Sequence, residues 1–235
     1  MSLTPNYKNE PTLWLRLISQ NPTTAISFNN LAAFLAPSDI SIALFEKAVE
    51  IDPRSSLAYK NLGKEFQRKG LFEKAVHSYL QAMAVSQEVG MQISCCYFIG
   101  EIYLGQNKLK EAAFYLEKII PILKGPEYQK QKRLFIEMKI FDPASEVSIV
   151  NTLGVTYLRS KRNLEAVEVF QYAVSLDPGN VESHQGLGVA YMNLGETQKA
   201  LSAFQETVRL APKNEAVRKN LEIVQTILKK KTAKN

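Results

Sequence analysis

The chain has 235 residues, of which 46% are hydrophobic, and its formal net charge is +6. This composition supplies enough apolar side chains for a buried core and excludes a chain that is disordered throughout. Because no apolar run approaches the roughly 20 residues that cross a bilayer, and because the first residues lack the pattern of a signal peptide, we expect a cytoplasmic protein without a membrane span.

The first predicted element is a capping helix within an N-terminal segment, residues 1–22, in which Trp14 and Ile18 pack inward. Residues 23–124 then hold three units of similar pattern. The first unit is degenerate and is recognisable mainly by "IALFEKAVEIDP" at its end. The next two units carry a Leu-Gly or Ile-Gly pair, at Gly63 and Gly100, and an aromatic residue three positions later.

The pattern is interrupted at residues 125–146. After a break at Gly125-Pro126 we expect one inserted helix, at residues 128–141, that is irregular with respect to the repeat. Its end, "RLFIEMKIFDP", places Phe135, Met138, Phe141 and Pro143 as the second half of a unit would, but the first half is missing. Two interpretations stay open: a local elaboration that extends the stack, or a helix that folds across the neighbouring units and regulates binding.

Residues 147–213 hold two further units in the same register. Gly154 and Gly188 are 34 residues apart, and so are Pro178 and Pro212. Residues 214–229 are predicted to form a C-terminal capping helix, because apolar residues recur on one stripe. These residues are Val217, Leu221, Val224 and Leu228. The lysine-rich residues 230–235 are predicted to be a basic disordered tail.

Each unit is predicted to be two amphipathic helices, because apolar residues recur at steps of three and four. Glycine inside the first helix costs roughly 1 kcal/mol relative to alanine. We attribute this cost to close packing: Gly188 and Ala200 let the two helices approach, while Tyr191 and Phe204 fill the space around the contact. Since no unit covers its own apolar faces, neighbouring units must stack.

These residues and this spacing resemble the tetratricopeptide repeat (TPR) superfamily over residues 23–212, apart from the interruption. The resemblance implies an all-α fold, an α-α superhelix (right-handed solenoid) of stacked antiparallel helix pairs. It also implies a concave surface, lined by the first helix of each unit, that binds peptides or helices of other proteins.

The register of the resemblance assigns thirteen residues to a partner-binding groove. They are Lys60, Lys64, Arg68, Tyr97, Glu101, Leu104, Asn151, Val155, Leu158, Arg159, Gln185, Val189 and Met192. The first three form a basic patch, and an apolar stretch with an aromatic residue follows. Such a surface suits a peptide or helix with an acidic end and two or three apolar anchors, although scattered lysines are also typical of any solvated helix.

Some members of the superfamily clamp the C-terminal carboxylate of chaperones with two asparagines and three basic residues. Asn30 and Asn61 match the asparagine positions, but Ile26, Ser94 and Phe98 stand where the basic residues would be. The sequence therefore does not predict a chaperone clamp.

The predicted function is a non-enzymatic protein-interaction module: an adaptor, scaffold or assembly factor. His77 and His184 are the only histidines, and no nucleotide, metal or redox motif occurs, so we expect no catalytic residues, cofactor, metal or small-molecule substrate. Two alternatives stay open: a regulatory TPR domain of a larger enzyme or assembly, and RNA binding by helical repeats. Apart from its tail the chain is nearly neutral, so a nucleic acid is not the expected partner; self-association also stays open.

Overall fold

The computed structural model describes residues 11–137 and 143–232. These residues form fourteen α-helices and no β-strand, which confirms the predicted all-α fold. The helices are α1 (Pro11–Gln20), α2 (Ala25–Leu35), α3 (Asp39–Ile51), α4 (Ser56–Arg68), α5 (Phe72–Val85), α6 (Val89–Gly105), α7 (Leu109–Glu117), α8 (Ile119–Lys124), α9 (Pro126–Glu137), α10 (Pro143–Arg159), α11 (Asn163–Leu176), α12 (Val181–Asn193), α13 (Thr197–Leu210) and α14 (Glu215–Thr232).

The described residues form two compact units, an N-terminal unit up to Ile102 and a C-terminal unit from Tyr103 onwards. In the N-terminal unit, α2 pairs with α3 and α4 pairs with α5, and α1 packs on α2. In the C-terminal unit, α10 pairs with α11 and α12 pairs with α13, and α14 packs on α13. Each unit is therefore a stack of sequential helix pairs, which is the solenoid architecture that the repeat predicts.

Polar side chains before several helices fix where those helices begin. The Ser38 hydroxyl accepts a hydrogen bond from the Ser41 amide at 3.0 Å, at the start of α3. The Asn180 side chain accepts one from the Ser183 amide at 2.9 Å, at the start of α12. Each bond satisfies an amide that has no partner within the helix, so the short linkers after each proline set the helix starts.

An aromatic ring from the second helix of a pair lies against the glycine of the first helix. A Cβ atom built on Gly188 would lie 2.6 Å from the Phe204 ring, and one on Gly154 would lie 2.6 Å from the Phe170 ring. The same contact joins Gly63 to Tyr79. The close approach predicted at Gly188 is thus confirmed: the absence of a side chain makes room for a buried ring.

The turn between the two helices of a unit repeats one backbone geometry. Gly70, Asn107, Lys161 and Gly195 all have a positive φ, between 58° and 76°. In each case the amide of the next residue donates to a carbonyl five positions earlier; for example, the Arg162 amide donates to the Tyr157 carbonyl at 2.9 Å. This bond is the Schellman closure of a helix C-terminus, which favours glycine at the left-handed position.

The interruption differs from the sequence prediction in two ways. The second helix of the third unit breaks at Lys118 into α7 and α8, because Pro121 lacks an amide hydrogen and its ring conflicts with the carbonyl of Glu117. The inserted helix is α9, Pro126–Glu137, and it begins after the expected break at Gly125. Pro143 is the first described residue of α10, and a proline in the first turn of a helix loses no hydrogen bond within that helix.

Some of the residues predicted to close the inserted helix are not described. Met138 and Phe141 lie outside the described residues, and the structure describes the backbone of Phe135 but not its side chain. Helix α9 contacts the helices before and after it in sequence. Gln129 donates to the Leu123 carbonyl of α8 at 2.6 Å, and Lys132 pairs with Glu146 of α10. Val155 on the predicted groove remains 42% exposed, so α9 does not cover it.

Both terminal helices occur where caps were predicted, with two differences. Trp14 and Ile18 are half-buried, and α1 has no fully buried side chain. Helix α14 continues to Thr232, so the prediction of a disordered tail is wrong for residues 230–232; residues 233–235 lie outside the described residues. Val217 and Val224 of α14 are fully buried, and Val224 joins Ala200 and Phe204 in one apolar cluster.

Candidate functional site

The basic positions of the N-terminal unit lie on one face of α4. Lys60 is half-buried and Lys64 is exposed, one helical turn apart. Arg68 donates to Glu65 at 2.5 Å, and this carboxylate is only 2% exposed and also accepts from the Ser41 hydroxyl at 3.2 Å. Arg68 therefore neutralises a buried charge of this chain, and the cations that remain for a partner are those of Lys60 and Lys64.

Tyr97 and Glu101 also lie in the N-terminal unit, on α6. The Tyr97 hydroxyl donates to the Glu101 carboxylate at 2.8 Å, across one helical turn. The Tyr97 ring meets Phe98 at 5.8 Å between centroids, and Phe98 stacks on Tyr79 at 5.3 Å. The packing holds Tyr97 in place, and its hydroxyl and the carboxylate present a polar pair at a half-exposed position.

The asparagines of the N-terminal unit form a chain of hydrogen bonds between helices. Asn61 of α4 donates to the Asn29 side chain of α2 at 3.0 Å, and Asn29 donates to Asn30 at 3.2 Å. Asn29 is buried, while Ile26 is exposed beside them. The carboxamides thus join two first helices, and Ile26 offers an apolar surface at the position of a clamp lysine.

Asn151 does not face a groove. Its side chain is buried, donating to Asn180 at 3.0 Å and accepting from the Ser183 hydroxyl at 2.9 Å. The prediction that Asn151 contacts a partner is wrong, because its carboxamide instead ties α10 to the start of α12.

Arg159 and Leu104 meet within the C-terminal unit through a structural contact. The Arg159 guanidinium donates to the Leu104 carbonyl at 3.1 Å and to the Asn107 side chain at 2.9 Å. Cationic donors stabilise the C-terminal end of a helix, where carbonyls lack partners. Arg159 therefore caps α6, although its side chain remains exposed.

The other predicted positions of the C-terminal unit differ in exposure. Val155 is 42% exposed, and Leu158 and Gln185 are half-buried. Val189 and Met192 are also half-buried, because α14 packs beside them. The capping helix thus covers part of two residues that the repeat register assigns to the groove.

A small apolar pocket lies where Val189 and Met192 meet the capping helix. Its volume is about 160 Å³, and its lining is formed by α12, α13 and α14. The lining residues are Val189, Met192, Phe204, Asn220, Ile223 and Val224. The sequence did not predict Asn220 and Ile223 as site residues, because the prediction for α14 considered only its buried apolar stripe. Ile223 is an apolar residue just outside that stripe, and this was the one feature that could have indicated it.

His184 and the groove residue Glu101 both have local partners. The His184 ring nitrogen lies 2.9 Å from the Pro178 carbonyl, and Glu101 accepts from Tyr97. Within the described ranges there is no group of three or more His, Cys, Asp and Glu side chains that could hold a metal ion. Over the same ranges, none of the helices combines the length and apolar character that crossing a bilayer requires.

Comparison with protein families and relatives identifies the repeat. Two tetratricopeptide-repeat models match the chain, one over residues 157–221 and one over residues 93–120. Protein CTR9 homolog of Arabidopsis thaliana is 25% identical over 136 residues, which are 57% of this chain. The match spans only 11% of the length of that relative.

Solved structures share the fold at low sequence identity. The structure of YrrB, described as a TPR protein with an unusual peptide-binding site, has a TM-score of 0.69 at 19% identity and covers 88% of this chain and 97% of its own. The C-terminal part of a TPR repeat-containing protein from Cytophaga hutchinsonii has a TM-score of 0.69 at 17% identity, covering 91% and 78%. MamA has a TM-score of 0.59 at 19% identity, covering 74% and 89%.

The likeness to these structures concerns the fold, while the matched models concern the repeat itself. The residues that define the repeat here are the glycines beneath buried rings and the prolines that follow the second helices. The chain therefore carries tetratricopeptide repeats at residues 93–120 and 157–221, within a fold of paired helices in both units.

Proposed function

We propose that this chain is a non-enzymatic protein-interaction module, an adaptor, scaffold or assembly factor, whose first helices bind a peptide or helix of a partner protein. The observation that carries the proposal is the pocket of about 160 Å³ between α12, α13 and α14. Its volume is below the range of about 300–1,000 Å³ typical of small-molecule sites. It fits one apolar side chain of a larger ligand.

The chemistry of the pocket favours an anchor residue of a polypeptide. Ile223 is 48% exposed at its edge, and Asn220 supplies a carboxamide that can bond to a peptide backbone. Burying one apolar side chain contributes about 1.5–3 kcal/mol. An apolar anchor in this pocket is therefore worth roughly a tenfold or greater gain in affinity.

The two lysines of α4 supply the second feature of the proposed partner. Lys60 and Lys64 are one turn apart, and neither forms an ion pair among the residues that the structure describes. Acidic residues of a partner would gain from this pair of charges mainly in the rate of association, with a strong dependence on salt. The proposed partner therefore offers an apolar anchor to the pocket of the C-terminal unit and acidic residues to the lysines of the N-terminal unit.

Selection of a random dodecapeptide display library on the immobilised protein tests the apolar pocket. We expect selected peptides to share large apolar residues and to lose at least tenfold in affinity for Ile223→Lys, because the lysine places a charge at the pocket edge. The matched control is Leu164→Lys on α11, which replaces an apolar residue that is 67% exposed elsewhere. Equal affinity for the two variants contradicts the proposal, and so does a library that yields no binder.

The basic patch has its own test with the same selected peptides. We expect acidic peptides to bind the double variant Lys60→Glu, Lys64→Glu more weakly, and the difference to shrink at high salt. The control is Lys110→Glu, Lys130→Glu, which reverses two exposed charges on α7 and α9. Circular dichroism must show the same helicity for all variants. Unchanged binding removes the patch from the site.

A further inference from the structure

A larger cleft lies on the second helices of the C-terminal unit, apart from the pocket described above. Its volume is about 380 Å³; α7 and α8 form one wall, α11 forms the other, and α10 closes it. The lining residues are Glu117, Ile120, Pro121, Lys124, Leu153, Tyr157, Arg162, Glu165, Glu168, Val169 and Tyr172. The cleft is within the usual size range of ligand sites.

One end of the cleft is a closed polar network around Arg162. The guanidinium donates to Glu117 at 2.8 Å and to Glu165 at 2.9 Å, and the Tyr157 hydroxyl also donates to Glu117 at 2.9 Å. The guanidinium carbon lies 4.3 Å from the centre of the Tyr157 ring. Two carboxylates thus already compensate the charge of Arg162, so this end offers little attraction to an anion.

One helical turn beyond Glu165, the lining of the cleft includes a carboxylate without an ion pair among the described residues. Glu168 is exposed, and it forms no ion pair with any basic residue in the described part of the chain. It lies three residues from Glu165 on α11, a spacing at which like charges repel. The Lys124 ammonium lies 4.6 Å over the Tyr172 ring. The lining holds three carboxylates and two cations, so its net charge is negative.

The lining of the cleft also includes apolar side chains. Ile120 and Pro121 of α8 and Val169 of α11 belong to the cleft lining, and Val169 is adjacent to Glu168 in sequence. A side chain with an apolar stem and a cationic head matches this combination of apolar and carboxylate side chains, since such side chains bury the stem and keep the charge paired or hydrated. Arginine and lysine are the side chains of this kind.

We propose that this cleft holds an arginine or lysine side chain of a partner protein, with its stem along Ile120, Pro121 and Val169 and its charged head at Glu168. The walls of the site are formed by second helices, and its lining shares no residue with the pocket or the lysines of the proposed function. The chain would then bind basic residues of a partner in this cleft, and apolar or acidic residues at the sites of the proposed function. Failure of one site leaves the other untouched.

The test is a titration of ¹⁵N-labelled protein, followed by amide chemical shifts, with Nα-acetyl-arginine N-methylamide. We expect saturable shifts at Ile120, Val169 and Tyr172. A neutral probe that keeps the apolar stem but lacks the guanidinium, Nα-acetyl-norleucine N-methylamide, should bind at least threefold more weakly. Glu168→Gln should weaken the arginine probe by a similar factor, and so should 0.5 M salt, because screening reduces attraction at an exposed charge.

The control variant is Glu222→Gln, which removes an exposed carboxylate of α14. It should bind the arginine probe as the wild type does. The proposal is overturned if the norleucine probe binds equally well, if Glu168→Gln leaves the affinity unchanged, or if Nα-acetyl-aspartate N-methylamide binds the cleft more tightly than the arginine probe. Unchanged spectra of the variants without a probe establish that folding is intact.

Discussion

Phe170 shows how a single ring can join two repeats. It lies against Gly154 in its own helix pair and also against Gly186 of α12, where an added Cβ atom would again meet the ring. Gly186 is therefore a second glycine held by the same side chain. Burial of a phenylalanine ring contributes about 1.5–3 kcal/mol, which offsets the cost of roughly 1 kcal/mol for glycine in a helix.

Gly188→Ala should destabilise the protein although alanine is the better helix former. The added methyl group meets the Phe204 ring, which is almost fully buried and so has little room to move. We expect the free energy of unfolding to fall by about 1–3 kcal/mol, the usual cost of overpacking. Urea unfolding followed by circular dichroism measures it.

The control for this change is Gly105→Ala. Gly105 is also helical and has open space where the methyl group would be, so the variant should be neutral or gain up to about 1 kcal/mol. A loss of the same size in both variants would contradict the packing explanation.

Cys95 links stability to alkaline pH. Burial raises the pKa of its thiol to about 12, against a partial lowering by the Lys60 charge. Above about pH 9 the thiol of the unfolded chain loses its proton while the folded one keeps it, so the unfolded state binds fewer protons and stability falls as pH rises. Below that pH the contribution is fully present.

We expect the free energy of unfolding to decrease more steeply between pH 8 and pH 10.5 in the wild type than in Cys95→Ala. Burial also raises the pKa of Tyr79, so some decrease remains in the variant. Urea unfolding at several pH values measures both slopes. Identical slopes would show that the thiol does not contribute.

The inserted helix α9 is tied to α10 by a buried ion pair. The Lys132 ammonium lies 2.6 Å from Glu146, whose carboxylate is buried and has one oxygen without a hydrogen-bond partner. Lys132→Met should therefore lower the free energy of unfolding by about 3–5 kcal/mol, because it leaves a buried charge uncompensated.

A second variant separates the charge from the packing of Lys132. Adding Glu146→Gln to Lys132→Met removes the charge and should restore at least half of the loss. The exposed pair of Lys47 and Glu50 is the control, and Lys47→Met should change stability by no more than about 1 kcal/mol. If Lys132→Met is as mild as the control, the pair does not hold α9 in place.

The sequence predicted helices well where the repeat is regular and less well where it is interrupted. The recurring glycine and aromatic positions correctly predicted the helix pairs α10–α11 and α12–α13, because their periodicity indicates which face of each helix is buried. The break at Lys118 and the start of α10 at Pro143 depend on how single prolines act within a particular helix. Periodicity carries no signal for either.

The candidate site was predictable only in part for a similar reason. The repeat register indicates which face a residue is on, and Lys64 and Val155 are exposed as expected. The register does not show which polar side chains form hydrogen bonds within the chain, as Asn151 does with Asn180. Part of the lining of the larger cleft, which contains Glu168, comes from the irregular helix α8, so no position of the repeat could indicate this cleft.

At the scale of the molecule, stability should be local. In stacked repeats each pair contacts only its neighbours, and Val224 lies in a cluster with Ala200 and Phe204. Val224→Asp buries a carboxylate there and should cost about 3 kcal/mol or more. Hydrogen exchange should become faster in α13 and α14, while α2 to α5 in the N-terminal unit keep their protection.

The control for this change is Gln225→Asp, the next residue of α14, which is exposed. It should leave exchange rates unchanged throughout. Equal acceleration in both units after Val224→Asp would mean that the chain unfolds as one cooperative body.

The shared geometry of the four inter-helix turns makes them exchangeable parts. Two of them use glycine at the left-handed position, and Asn107 uses asparagine, which tolerates it; Lys161 adopts it at a cost of roughly 1–2 kcal/mol. An engineer could move the turn around Gly195 into the place of the turn around Lys161 without redesigning either flanking helix. Lys161 is therefore a turn position at which glycine would adopt the same backbone conformation with less steric strain.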